Sequence, residues 1–372
     1  MRTRAHRTGG FTLIELLLAT GLLALLVLLV FQIFDRTLSL WRTGETRRGV
    51  MEQAAVVSEL LTRDLRGLEP GTSGDFVAEW VRFDADGDGV VETSWPRLRM
   101  VRAASAAEVA RLRSAMAARE REGAPAAPVE GIVIERSAPE LIEVLWGVVP
   151  ASLTDRDARS EGRVHRGERL VSDVTSKSFF APDFYGVANK PPAGTTDDVC
   201  GGVLWLGVQM AGQTSVVHDG WSLGTDAEDA VAAWDAWNRA RPDRDIHPWN
   251  APWDYAPKAK DRPLLPRRVR IELEIERPQD RVRRTRLLRP LATEETSFTV
   301  DDARHLPDTD NAHVLIDGEW MEVVTRSGPE VTVRRAARGT QALTHAQGSM
   351  VHWGQPTVRE VVVSGYREDW NL

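Results

Sequence analysis

Residues 1–34 read MRTRAHRTGG FTLIELLLAT GLLALLVLLV FQIF, and this stretch decides how the rest must be arranged. Arg2, Arg4 and Arg7 stand in a leader that holds no acid. Residues 11–34 then run for 24 residues with a single charge, Glu15. As a helix rising about 1.5 Å per residue they would extend about 36 Å, more than a hydrocarbon core of roughly 30 Å. Asp35 and Arg36 close the run, so the basic leader is expected in the cytoplasm and the bulk of the chain outside. A secretory signal peptide would carry a core of about 7–15 residues with small residues after it. Here the small residues, Gly9 and Gly10, precede the core. A carboxylate inside a span costs roughly 2.5–3.5 kcal/mol on insertion scales, so Glu15 calls for a partner. Cleavage between Gly10 and Phe11 would create one, the α-amine of Phe11 in its own or a neighbouring chain.

Gly10-Phe11-Thr12-Leu13-Ile14-Glu15, behind a basic leader and ahead of a long apolar helix, resembles the class III signal of type IV prepilins and pseudopilins. The resemblance implies cleavage after Gly10 by prepilin peptidase, N-methylation of Phe11 and a role for Glu15 in filament assembly. The alternative is an ordinary single-pass anchor with a stray glutamate. Beyond the span, Val50, Ala54, Val57, Leu61, Leu65 and Leu68 recur at helical spacing, and Gly67 and Pro70 are stop signals. One helix from Phe11 to about Leu68 would be roughly 87 Å long. Gly44 and Gly49 are the places where it would bend.

After the helix, short strands are expected at Phe76–Phe83, Arg97–Val101, Leu141–Val149, Val203–Met210 and Val269–Ile275, the last partnered by Val282–Leu288. Ser105 with Glu108, and Thr225 with Glu228, are capping boxes that predict helices over 105–122 and 225–240. Trp221, Trp234, Trp237, Trp249 and Trp253 crowd one stretch, either as a partner-binding surface or as a subdomain packed on its own aromatics. The order of elements is similar to the J-type minor pseudopilin of type II secretion. The landmarks are Arg63-Asp64-Leu65-Arg66, Leu141–Val149 followed by Arg166-Gly167-Glu168-Arg169-Leu170, the Trp-rich stretch, and Leu264-Leu265-Pro266 leading into Arg267-Arg268-Val269-Arg270-Ile271. Two departures are a long 102–135 segment and about 80 residues past the usual end. In those residues, Phe298–Val300, Ala312–Ile316, Trp320–Thr325 and Val331–Arg334 read as the strands of a separate small β module. Val358–Ser364 would return to the main sheet and make that module an insertion.

The expected architecture is therefore α+β and pilin-like: a long N-terminal helix on antiparallel β-sheet, with an extra C-terminal β module. Its parts are a leader at 1–10, a transmembrane half-helix at 11–34 and a periplasmic half-helix at 35–68. A globular domain at 69–292, the module at 293–355 and a terminal strand and tail at 356–372 complete it.

Asp84, Asp86, Asp88, Val90 and Glu92 match the first part of a calcium loop, with Gly89 at position six. Position twelve is Trp95, so a complete EF-hand is excluded. The loop is either a structural calcium site that borrows a ligand or a solvated hairpin turn. His305, His313, His345 and His352 show no zinc-ligand spacing, and the single Cys200 has no partner for a disulfide within the chain. A net charge of −7 gives no footprint for nucleic acid. No nucleophile-elbow, phosphate-loop or dinucleotide motif appears, so no enzyme is expected and no cofactor is required, a structural calcium being the one candidate.

The expected function is that of a minor pseudopilin at the tip of the type II secretion pseudopilus, assembled from the inner membrane. Its expected partners are prepilin peptidase, the I- and K-type minor pseudopilins and the major pseudopilin. Two alternatives stand beside it: a minor pilin of a type IV pilus, and a membrane-anchored calcium-dependent binding protein that never polymerises.

Overall fold

One α-helix, α1, runs from Leu13 to Arg66 and stays helical through Gly44 and Gly49. The computed structural model describes residues 12–84, 93–123, 140–152, 155, 160–181, 183–186, 189–211, 230–231, 233–237, 262–276, 284–307 and 312–363. The chain divides into two compact units, Met1–Met51 and Glu52–Leu372. In the first, Leu13–Leu38 is long and apolar enough to cross a membrane, and none of it is buried. In the second, Ala54, Val57, Leu61, Leu65 and Leu68 are all buried, the helical stripe that the sequence shows.

The main sheet is antiparallel throughout its described pairs. Its strands are β1 (Phe76–Phe83), β2 (Thr93–Ala103), β3 (Leu141–Pro150), β4 (Gly162–Leu170) and β5 (Asp197–Ala211). They are joined by the short β6 (Ala230–Val231) and β7 (Trp234–Asp235), then by β8 (Arg268–Ile275) and β15 (Gln355–Val362). Their order is β15-β8-β5-β4-β3-β2-β1-β7, with β6 also on β5. A second helix, α2 (Ala106–Gly123), opens on the expected capping box. The Ser105 backbone N–H and hydroxyl donate to the Glu108 carboxylate, and the Glu108 N–H returns to the Ser105 hydroxyl.

Strand β3 is buried on both faces. Ile142, Val144, Trp146 and Val148 share one, and Glu143 and Leu145 share the other. The second face is covered by the 178–185 loop, where Phe179, Ala181, Phe184 and Tyr185 pack on Leu145. The sheet also curls. Trp80 on β1 and Trp205 on β5 bring their rings within 5.5 Å although three strands separate them. A flat sheet would hold those strands about 19 Å apart.

Two expectations are corrected here. The 225–240 helix gives way to strand over most of its described residues: Ala230–Val231 pairs with β5 and Trp234–Asp235 with β1, and helical backbone is kept there at Ala236 and Trp237. Sheet pairing there overrides local propensity. Val282–Leu288 is not the partner of Val269–Ile275. Of its described residues, only Thr285–Arg286 form a strand, β9, and it pairs with β14 (Met350–Val351). The neighbours of β8 are β5 and β15.

Between β8 and β15 lies the small module. It comprises β9, β10 (Ser297–Thr299), β11 (His313–Ile316), β12 (Glu319–Ser327), β13 (Glu330–Ala337) and β14. The four-stranded order is β10-β13-β12-β11. Asp317 and Gly318 form the β11–β12 turn with φ of 46° and 90°, the twist that a tight hairpin needs. The module has its own core of Leu287, Phe298, Val300, Val314, Met321 and Val333 among others.

Because Leu61 is fully buried and Val56 is 51% exposed on the same helix, the two should separate cleanly. Leu61→Ala is expected to cost about 2–5 kcal/mol in urea unfolding. Val56→Ala is expected to stay within about 0.5 kcal/mol.

Candidate functional site

Of the three predicted processing residues, Glu15 lies within the described chain, and Gly10 and Phe11 lie outside it. Glu15 sits in the first turn of α1. Its Oε2 accepts from the Thr12 N–H at 2.9 Å and from the Thr12 hydroxyl at 3.0 Å. The Glu15 N–H donates back to the Thr12 hydroxyl at 3.4 Å. This is a reciprocal capping box that satisfies helix N–H groups with no tertiary neighbour. The Thr-x-x-Glu spacing that marks it is present in the sequence.

At the other end of α1, Asp64 is completely buried. Its Oδ2 accepts from the Trp146 indole N–H at 2.8 Å and from Arg166 Nε at 2.8 Å. Its Oδ1 accepts from Arg166 Nη2 at 2.9 Å and lies 2.9 Å from Arg102 Nε. Glu168 accepts from Arg102 at 3.3 Å and also from Arg166 and Arg111. Burial opposes the Glu168 charge, yet Arg166 and Arg111 hold its pKa below the ordinary value. Glu108 of α2 completes the set with a bidentate hold on Arg102, which drives its own pKa strongly down. Side chains from β2, β3 and β4 thus meet at the Asp64 carboxylate of α1, and α2 joins them through Arg102 and Glu168. Three landmarks quoted from the sequence (63–66, 141–149 and 166–170) converge on that carboxylate.

On the opposite face, Glu143 accepts from Arg169, from the Ser178 hydroxyl and from the Phe179 N–H. It pins the aromatic loop to the sheet.

The predicted calcium loop lies between the ends of β1 and β2, which pair at Phe83 and Thr93. Asp84 is exposed; Asp86, Asp88, Val90 and Glu92 lie outside the described residues. Of the crowded tryptophans, Trp234 and Trp237 are buried and donate to the Leu264 and Gly74 carbonyls at 2.7 and 3.0 Å. They are core residues. Trp221, Trp249 and Trp253 lie outside the described residues. Cys200 is a buried thiol.

Two buried clusters escape sequence reasoning, because their members are far apart in the chain. In the first, Glu161, Glu276 and His352 offer ligand atoms within 4.8 Å of one another. Arg284 lies among them and bridges Glu161 to Glu276, with Nη2 at 2.7 Å from the latter. The guanidinium supplies the cation that a metal would otherwise bring, so the cluster is a structural ion-pair set. In the second, Glu319 of the module takes both Arg335 nitrogens at 2.7 Å, the Ala336 and Leu343 N–H groups and His345 Nε2 at 2.9 Å. His345 Nδ1 faces Asp317 at 3.1 Å.

No family model matches the chain, and no curated protein matches it.

Two outcomes follow from these clusters. Asp64→Ala would leave the Trp146 N–H and Arg166 Nε without their acceptor and remove the buried negative charge beside Arg102, and is expected to cost about 3–5 kcal/mol by urea unfolding. Asp64→Asn should cost less, because its amide oxygen still accepts from Trp146. The second outcome concerns pH. Burial opposes the Glu319 charge, but Arg335 and His345 bring its pKa down from 4.5 to about 2. That contribution is complete above pH 4.5 and is lost as pH falls toward 2. Burial likewise opposes charge on His345, but Asp317 and Glu319 outweigh it and raise its pKa above 6.5. That contribution is complete below pH 6.5 and is lost as pH rises through the raised value. The module should therefore be most stable between pH 4.5 and 6.5. Hydrogen exchange of the β11–β13 amides across that range checks this, and His345→Asn should flatten the alkaline limb.

Proposed function

We propose that this chain is a minor pseudopilin-like subunit, drawn from the membrane into a short filament by its N-terminal helix. One observation carries the reading. An apolar helix with none of Leu13–Leu38 buried carries Glu15 in its first turn and no other charge before Asp35. So long an exposed apolar surface calls for lipid or for neighbouring helices. A filament supplies the second when the helix leaves the first. Glu15 is then the one charged group between Leu13 and Phe34, the stretch such packing would enclose.

The mechanism follows from the capping box. In the single chain Glu15 satisfies the Thr12 N–H and hydroxyl. After cleavage behind Gly10, the Phe11 amine would lie beside this carboxylate. In a filament the Glu15 of one subunit would meet the amine of another, and charge neutralisation would set the axial register of packed helices. The buried Asp64 network supports the same reading, because three stretches that resemble the J-type pattern, 63–66, 141–149 and 166–170, supply Asp64, Trp146 and Arg166 to it. By that resemblance the proposed position is the tip, beside the I- and K-type subunits.

Glu15→Leu is expected to insert in the membrane at the normal level and to be absent from sheared or cross-linked filaments. Normal incorporation of Glu15→Leu would overturn the assembly role. Deleting the chain in its host should stop protein secretion with surface pili intact. Loss of pili with secretion intact would move the chain to a type IV pilus.

A further inference from the structure

A cleft of about 740 Å³ opens between the main sheet and the inserted module, and the processing and assembly reading makes no use of it. Trp80 of β1 and Trp205 of β5 line it from the sheet, and Trp320 of β12 lines it from the module. Their rings form one continuous aromatic wall. Trp80 and Trp205 lie 5.5 Å apart at 34°, and Trp205 meets Trp320 edge-on at 5.9 Å. Arg338 extends the wall. Its guanidinium carbon sits 4.1 Å from the Trp320 ring centre and 5.2 Å from that of Trp205. Buried Glu274 holds it there through Nη2 at 2.8 Å.

Three further observations point to a ligand. Trp95, Trp205 and Arg338 each keep a buried N–H donor with no hydrogen-bond partner among the described residues, and all three side chains line this cleft. Orphaned donors gathered at one place are what an acceptor-rich guest corrects. Among the described lining residues two are cationic, Arg82 and Arg338, and none is acidic. The segment that presents Arg338 holds left-handed backbone at Ala336, Arg338 and Gly339, with φ of 57°, 54° and 76°. Non-glycine residues in that region cost on the order of 1 kcal/mol each, and such strain gathers at ligand sites.

We infer that the cleft binds a short acidic saccharide, with uronate-type rings. A pyranose presents an apolar C–H face that stacks on indole. Its hydroxyl and ring oxygens are acceptors for the orphaned donors, and its carboxylate meets Arg82 and Arg338. A volume of about 740 Å³ lies within the range of small-ligand clefts and holds two to three rings. The inference stands apart from the assembly reading.

The test is titration of the full chain in a non-glycosidic zwitterionic detergent, followed by tryptophan fluorescence and calorimetry. The probes are trigalacturonate, maltotriose and a proline-rich tripeptide. We expect trigalacturonate to bind and to shift the emission, with maltotriose weaker by about tenfold or more. Trp80→Ala, at a partly exposed rim position, should abolish the shift with the circular dichroism unchanged. Should that variant misfold, Arg82→Gln serves instead and should weaken trigalacturonate selectively. No response to trigalacturonate at millimolar concentration would overturn the inference. So would equal binding of maltotriose, binding of the peptide alone, or binding untouched by Arg82→Gln.

Discussion

A carboxylate shut away from water at the end of a helix must find its whole solvation shell in the protein, and Asp64 does so from three strands at once. Arg166 grips it with two parallel N–H groups, and such a fork admits one orientation. The indole of Trp146 fixes a third direction, and Arg102 a fourth. Together they set the rotation of α1 about its own axis against β2, β3 and β4. Leu61 and Leu65 are then turned inward by helical spacing alone. The attachment of α2 through Glu108 and Arg111 draws on the same charges. Replacing this set by apolar residues would preserve burial but not the register of helix on sheet.

The inserted module obeys a second constraint. It leaves the main sheet after β8 and returns as β15, and those two strands pair along eight residues. The ends of the insertion are therefore adjacent, and the module adds to the sheet without disturbing its order. It carries its own apolar core and its own buried charge centre at Glu319. Contacts that tie it back to the sheet include Arg338 to Glu274, Trp320 against Trp205, and His352 and Arg284 to Glu276. The first two lie at the cleft, so part of the joint is also the place where a ligand would sit.

The parts legible in the sequence are those governed by periodicity. The helix stripe from Ala54 to Leu68, β1, β3, β5 and β8 show their period directly, as do the strands of the module. The C-terminal strand expected at Val358–Ser364 does return to the main sheet, within β15 beside β8, a pairing that no local pattern specifies. Strand β4 was hidden, because GRVHRGERL is mostly charged and reads as surface. Of its charges, Arg166 is drawn in by Asp64, 102 residues away, and Arg169 by Glu143, while Arg163 stays exposed. The Phe179–Tyr185 loop covers a sheet face without any period, and β7 forms within a segment whose local pattern is helical. At the site, the Thr12–Glu15 capping box had a plain signature. The cleft had none, since its lining residues are scattered from Trp80 to Leu343.

The most direct measurement is the mass of the N-terminal peptide of the chain extracted from its native membrane. The account requires a chain that begins at Phe11, with a methyl group on its amine and the first ten residues gone. A chain that retains Met1, or one cut on the far side of the apolar helix, would contradict it. In that case Glu15 would have no neighbouring amine to meet, and the helix would be an anchor or a discarded signal rather than the core of a filament.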